Sequence, residues 1–221
     1  MPEGLINVNG DSVQTLEILF FTTILTLLPS ILIMMTSFTR IIISLSFLRT
    51  AMGTQQNPPN MVLIGIALFL TLFIMNPVLT DINQNAYQPY VQQTITQEEA
   101  LDRAQIPLKD FMLRNTETSS LNLFCDLAQI DAPQNEEEAR ALSMRVIIPS
   151  YMTSELKRAF EIGFFLYIPF MLIDIVVSST LMSMGMIMLP PAMISMPFKL
   201  LLFITVDGWQ LLFSTLAQGF N

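Results

Sequence analysis

Hydrophobic positions in this chain come in long blocks, and the blocks fall into two groups. Ile18 to Thr39 contains no charged residue. Its length suits a bilayer crossing, which takes roughly 20 apolar residues in a helix. Pro29 lies inside the run and predicts a kink. Arg40-IIISLSFL-Arg49 follows, then TAMGTQQNPPN, where Gly53, Pro58 and Pro59 mark a turn. Met61 to Thr80 is a second uncharged run. Residues 16–80 therefore read as a first apolar helical hairpin, preceded by a polar segment at 1–15.

The pattern changes over residues 81–158. Asp81 to Arg145 holds eleven acids and five bases, a net charge of −6, with apolar residues scattered among Gln and Asn. TITQEEALDRA carries a helix-start signature, with Thr96 as N-cap and Glu99 three residues on. LKDFMLR and LNLFCDLAQI read as short amphipathic helices. This segment is expected to be a small, mostly helical, water-exposed unit. From Ile162 the chain is apolar again. GFFLYIPFMLIDIVVSSTLMSMG is interrupted by Pro169 and Asp174, and FKLLLFITVDGWQLLFSTLA contains Lys199 and Asp207. Residues 159–221 read as a second apolar hairpin around a Met/Pro-rich loop at 182–197. Two Arg and no acid in the stretch 40–60 predict a cytoplasmic face there, with the acidic unit outside. Glu155, Lys157, Arg158 and Glu161 cancel, so the second hairpin carries no such signal.

The bend breaks the block pattern. Met182, Met184, Met186 and Met188 recur every second residue. A helix would scatter that spacing over opposed faces, whereas an extended strand would point all four one way. Gly185 and the pair Pro190-Pro191 favour the extended form. Methionine is unbranched and polarizable, so it repacks around irregular shapes. One role for the four is filling gaps in a hairpin core. The other is a seal: one set from each of several copies could close a pore by dewetting and part for a passing polypeptide.

Composition narrows the classes. The chain has 221 residues, 52% hydrophobic and 13% charged, with a mean hydropathy of +0.55. Soluble domains carry about 25% charged residues, so a membrane protein, or one buried in an apolar assembly, is indicated. A net charge of −8 argues against a nucleic-acid partner, which needs a basic face. The chain has no histidine, which removes the commonest general base and metal ligand. No phosphate-cradling glycine loop is visible. Cys125 stands alone, and Glu136, Glu137 and Glu138 read as a solvated helix start or loop rather than a metal site. No metal, cofactor or catalytic residue is assigned. MPEGLINVNG has no basic n-region and contains Glu3, so it does not read as a signal peptide.

Charges inside the apolar blocks are the other candidates. Asp174 and Lys199 flank the bend with opposite sign. A lone charge in such surroundings is destabilising by several kcal/mol unless paired. An ion pair is expected, either within one hairpin or between neighbouring copies. Asp207, beside Gly208 and Trp209, either caps a helix or marks a break. Phe111 and Phe124 are the bulky apolar residues of the water-exposed unit, available to its own core or to a subunit contact.

Several long motifs carry a resemblance. MMTSFTRIIISLSFLRTAMGTQQNPPN, LFLTLFIMNPV, AYQP, FMLR, TSELKRAFEIGF, IPFMLIDIVVSSTLMSMGMIMLPPAMISMPFKLLLF and VDGWQLL occur in order over roughly residues 16–218. Together they resemble the FliP family of flagellar type III secretion export-gate proteins, relatives of the R component of virulence injectisomes. The resemblance implies an all-α protein of membrane-associated hairpins with kinked or broken helices. It implies a pentamer, joined by FliQ and FliR into a helical gate. FlhB lies at the base of that gate and FliO aids assembly. Much of the gate would sit above the inner-membrane plane, within the flagellar basal body. It would conduct unfolded flagellar proteins and catalyse no covalent chemistry.

By the same resemblance, Met184, Met186 and Met188, with Met182 beside them, form a gasket around the closed channel. Family members often read GMMM where this chain has Gly185-Met186-Ile187-Met188. Ile187 thus replaces one thioether. The resemblance also implies that Asp174 and Lys199 pair between neighbours, and that Phe111, Phe124 and Glu155 make subunit contacts. A cleavable signal sequence is implied for family precursors. Two rivals remain at the level of residues. One is a proton-coupled carrier using Asp174, Lys199 and Asp207, with helix breaks at Pro169 and Pro190. The other is a membrane-anchored scaffold without a pore.

Overall fold

The helix α2 (Phe38–Met52) is the element around which the chain packs in the computed structural model. The structure describes residues 5–8, 11–54, 56–186 and 188–220. One face of α2 presents Ile41, Ser44, Leu45, Leu48, Ala51 and Met52, a spacing of three and four that makes a continuous inward stripe. The stripe meets Leu63 and Ala67 of α3 (Asn60–Ile82) and Phe170 of α8 (Met144–Ser183). It also meets Phe203 of α9 (Pro191–Thr205) and Leu212 and Leu216 of α10 (Gly208–Gln218). α2 stops at Gly53, whose φ of +73° is a left-handed cap that glycine adopts without steric strain.

A second core joins the water-exposed unit to the rest. Met35, Met75, Val78, Phe111, Met112, Ile147 and Tyr151 pack together there. Phe111 and Met112 come from α5 (Gln97–Arg114), which opens with the expected capping box. The Glu99 amide donates to Thr96 Oγ1 at 3.2 Å, and the Thr96 amide donates to Glu99 Oε2 at 3.1 Å. α6 (Thr118–Leu127) is tied to α8 at its start: the Glu117 amide donates to Ser154 Oγ and Lys157 Nζ to Glu117 Oε2. The short α7 (Glu136–Ala141) is capped by Asn135 and held to α5 by the Arg140–Asp110 pair at 2.7 Å.

The structure moves several boundaries expected from composition. The first uncharged run breaks between α1 (Thr15–Met34) and α2, at residues 35–37, so Pro29 lies inside a continuous helix. α3 runs past residue 80 and through a wider turn at Asn83–Tyr87 into α4 (Gln88–Val91). α8 runs for 40 residues without a break, across residue 158 and through Pro149 and Pro169. A proline removes one backbone hydrogen bond, and packing on a neighbouring helix can hold the remainder in place. Composition registers polarity, and polarity changes along α8 while the backbone conformation does not. Ahead of α1, a two-stranded antiparallel ribbon, β1 (Leu5–Val8) and β2 (Asp11–Gln14), pairs Leu5 with Gln14 and Val8 with Asp11.

The seam between α2 and α8 is tight. A Cβ on Gly163 would lie 2.5 Å from the Phe47 ring, so only glycine allows that approach. Among the described residues, two helices are long and apolar enough to cross a membrane: Asn60–Val91 and Met144–Ser183. α9 and α10 form a third candidate span only if counted together, because they are bent by 63°.

Candidate functional site

The methionine bend begins inside α8. Met182 is helical, and α8 ends just after it in a closing turn on Gly185. The Gly185 amide donates to the Met182 carbonyl at 3.0 Å and the Met186 amide to the Leu181 carbonyl at 3.0 Å. This is the pair of bonds by which a left-handed glycine ends a helix, and Gly185 has φ +75°. The expected extended run over 182–188 is therefore corrected. Period-two spacing does not set the backbone here, because Gly185 supplies a helix cap and the turn begins only beyond Ser183. Ile187 lies outside the described residues. Pro190 and Pro191 then open α9, where a fixed φ and a missing N–H are tolerated.

No methionine of the bend fills a core. Met182 is 69% exposed, Met184 60%, Met186 43% and Met188 98%. Behind them, α8 and α9 enclose an open apolar groove of about 550 Å³, lined by Val177, Thr180, Leu181, Met184, Ile194 and Phe198 among others.

Lys199 and Asp174 do meet, at 2.6 Å from Nζ to Oδ2. Lys199 also donates to the Ala51 carbonyl in the last turn of α2 at 3.1 Å, where the helix end is partly negative. Ser195 Oγ donates to the other carboxylate oxygen of Asp174 at 2.6 Å. Lys199 is buried and Asp174 half-buried. The pairing expected from lone charges is present. Here both partners belong to one chain, whereas the resemblance implied a pair between neighbouring copies. α8 and α9 are joined by the bend, which brings the two side chains to the same level. Asp207 marks a break: it is exposed, has φ +49°, makes no side-chain cap, and stands where α9 turns into α10. Gly208 beside it is required by space, since a Cβ there would lie 2.2 Å from the Phe203 ring.

The three residues implied as subunit contacts differ in burial within the chain. Phe111 and Glu155 are buried within the chain, and Phe124 is half-buried. Phe111 packs edge-on against Tyr151 and is stacked on Phe220. Glu155 accepts from both Nε and Nη2 of Arg40, with Nε at 2.8 Å. Arg40 Nη1 donates to the Gly219 carbonyl at 2.8 Å, and the guanidinium lies 3.6 Å over the Phe220 ring. Arg40 is not the loop charge that the stretch 40–60 suggests but a buried residue of α2 neutralised by Glu155. That leaves Arg49 as the only base of 40–60 not committed to a carboxylate. The available signal was its position directly before three isoleucines, in line with Ser44 and Leu48 on one helical face.

Long apolar helices, prolines inside them, and broad apolar faces left uncovered define a helical membrane-type protein. Residues 21–216 match the model of the FliP family. The chain is 56% identical over 209 residues to the flagellar biosynthetic protein FliP of Pectobacterium carotovorum, covering 95% of this chain and 79% of that protein. It is 50% identical over 207 residues to the FliP of Bacillus subtilis, covering 94% and 92%. For the FliP of Aquifex aeolicus the identity is 49% over 212 residues, covering 96% and 88%. The chain belongs to the FliP family, and as such is a component of the flagellar export apparatus.

Proposed function

We propose that this chain is a channel-forming subunit of the flagellar type III export gate, and that its methionine bend closes the passage when no substrate is present. The substrate class is unfolded flagellar protein. The work is conduction without covalent chemistry. The subunit acts in a ring, five copies by family resemblance, at the periplasmic side of the bacterial inner membrane. FliQ and FliR complete the ring, FlhB lies at its base and FliO assists assembly.

One observation carries the reading. Four thioethers of a charge-free bend stand exposed at the end of a 40-residue helix instead of filling a core. A soluble monomer gains nothing from that arrangement. A ring of such bends on an axis would exclude water and ions yet deform around a chain in transit. Apolar residues exposed on α3, α8 and α9, such as Phe69, Phe73, Phe164 and Phe198, offer the surface for neighbours and lipid. The carrier alternative needs a free carboxylate at Asp174, but both of its oxygens are engaged by Ser195 and Lys199.

The test is ion leakage in cells carrying Met184→Ala, Met186→Ala and Met188→Ala together, with assembly checked by purification of the complex. The expected result is a leak with the complex intact. Unchanged conductance in an intact complex would leave only a scaffold.

A further inference from the structure

The exposed thioethers also have a chemistry of their own. Thioether oxidation follows accessibility. Within this chain the contrast is internal: the bend methionines are 43% to 98% exposed in the single chain, whereas Met52, Met75 and Met112 are at most 3% exposed.

We propose that Met182, Met184, Met186 and Met188 are a modification site for two-electron oxygen donors of the peroxide class, and that sulfoxide formation there loosens the seal reversibly. In the step, a thioether sulfur attacks one peroxide oxygen. An S–O bond forms and the O–O bond breaks. The departing hydroxide takes the remaining proton and leaves as water, so sulfur loses two electrons and the peroxide gains them. Reversal uses two thiols, which become a disulfide while the sulfoxide oxygen leaves as water.

The consequence follows from polarity. A thioether is apolar and barely accepts a hydrogen bond, whereas a sulfoxide is polar and chiral. A constriction that excludes water because its lining is apolar fills once the lining binds water. The bend offers no neighbouring charge to compensate, since its first charge after Asp174 is Lys199, already committed to that aspartate. The site would make the export gate sensitive to oxidants arriving from outside the inner membrane. This inference rests on the gate reading proposed above.

The experiment uses cells carrying the full chain with its natural partners, treated with graded hydrogen peroxide. Two quantities are read: the oxygen added at each methionine, by peptide mass spectrometry, and the ion leak. Expected is oxidation of the bend at doses that spare Met52, Met75 and Met112, with a several-fold rise in leak that methionine sulfoxide reductase reverses. The peroxide-dependent increment should vanish in the variant carrying Met182→Leu, Met184→Leu, Met186→Leu and Met188→Leu, whatever its resting leak. Oxidation spread evenly over exposed and buried methionines would overturn the proposal. So would bend oxidation without a leak, or the same increment in the leucine variant. If the alanine variant leaks and the peroxide-treated natural protein does not, this inference falls and the gate stands. If neither leaks, both fall.

Discussion

Arg40 and Glu155 face each other across the seam of α2 and α8, two donors on two oxygens, although 115 residues separate them in the chain. Both are buried, and the Gly219 carbonyl and Phe220 ring close the remaining sides of the guanidinium. Glu155→Ala leaves a buried cation with one carbonyl for company. Removing one partner of a buried pair is destabilising by about 3–5 kcal/mol, whereas an apolar replacement of both is often near neutral. Unfolding of the detergent-solubilised chain should therefore show Glu155→Ala as the weaker protein, and Arg40→Met with Glu155→Leu as the stronger of the two. Equal loss in both would show that the pair is not the source of the stability.

Asp174 and Lys199 form the second pair, and here burial is uneven. The lysine is buried while the carboxylate side chain is 42% exposed. Asp174→Ala strands the ammonium with only the Ala51 carbonyl. Its yield of assembled complex should fall below that of the double variant Asp174→Ala with Lys199→Ala. Losses that simply add would argue against coupling.

Gly163 is where α8 comes closest to α2. Gly163→Val would drive its side chain into Phe47, whose ring already meets Phe160 at 5.2 Å and Tyr167 at 6.2 Å between centroids. Overpacking of this kind is destabilising by about 1–3 kcal/mol. Phe47→Ala in the same chain should restore part of the loss in a thermal melt, because it vacates the space that valine needs. No rescue would place the fault in the helix itself.

Glu117 makes α6 sensitive to acid. The hydrogen bond from Lys157 holds its carboxyl below the ordinary carboxylate range, against partial desolvation. A depressed folded-state value means that the contribution is complete above the unfolded pKa and lost as pH falls through the folded one. The stability gap between the natural chain and Glu117→Gln should accordingly be constant near neutral pH and shrink below about pH 4.3, the ordinary glutamate value. A gap independent of pH would remove the pair from the account.

Local signals were legible in the sequence and distant ones were not. The capping box at Thr96 and Glu99 depends on four consecutive residues, and it forms as the sequence predicts. The pairing of Asp174 with Lys199 was legible because isolated charges in apolar blocks need partners. Which chain supplies the partner was not legible, since spacing alone cannot place two helices side by side. Glu155 lies among Thr, Ser, Lys and Arg neighbours that do not announce its depth, whereas at Arg40 the three isoleucines that follow were the available signal. The methionine alternation was misleading for a physical reason: Gly185 acts through a positive φ, a property of the backbone that side-chain periodicity does not register. Proline was a poor guide to helix ends, because α1 continues through Pro29 and α8 through Pro169.

The unbroken course of α8 has a mechanical consequence. At 1.5 Å per residue its 40 residues span about 60 Å, twice the thickness of a bilayer's hydrocarbon layer. One end carries Met182, and Ser154 and Lys157, in the N-terminal half, fasten the helix to α6. The helix is therefore an unbroken link between that anchor and the bend. A tilt of about 5° about the anchor would swing Met182, about 40 Å away, by about 3.5 Å.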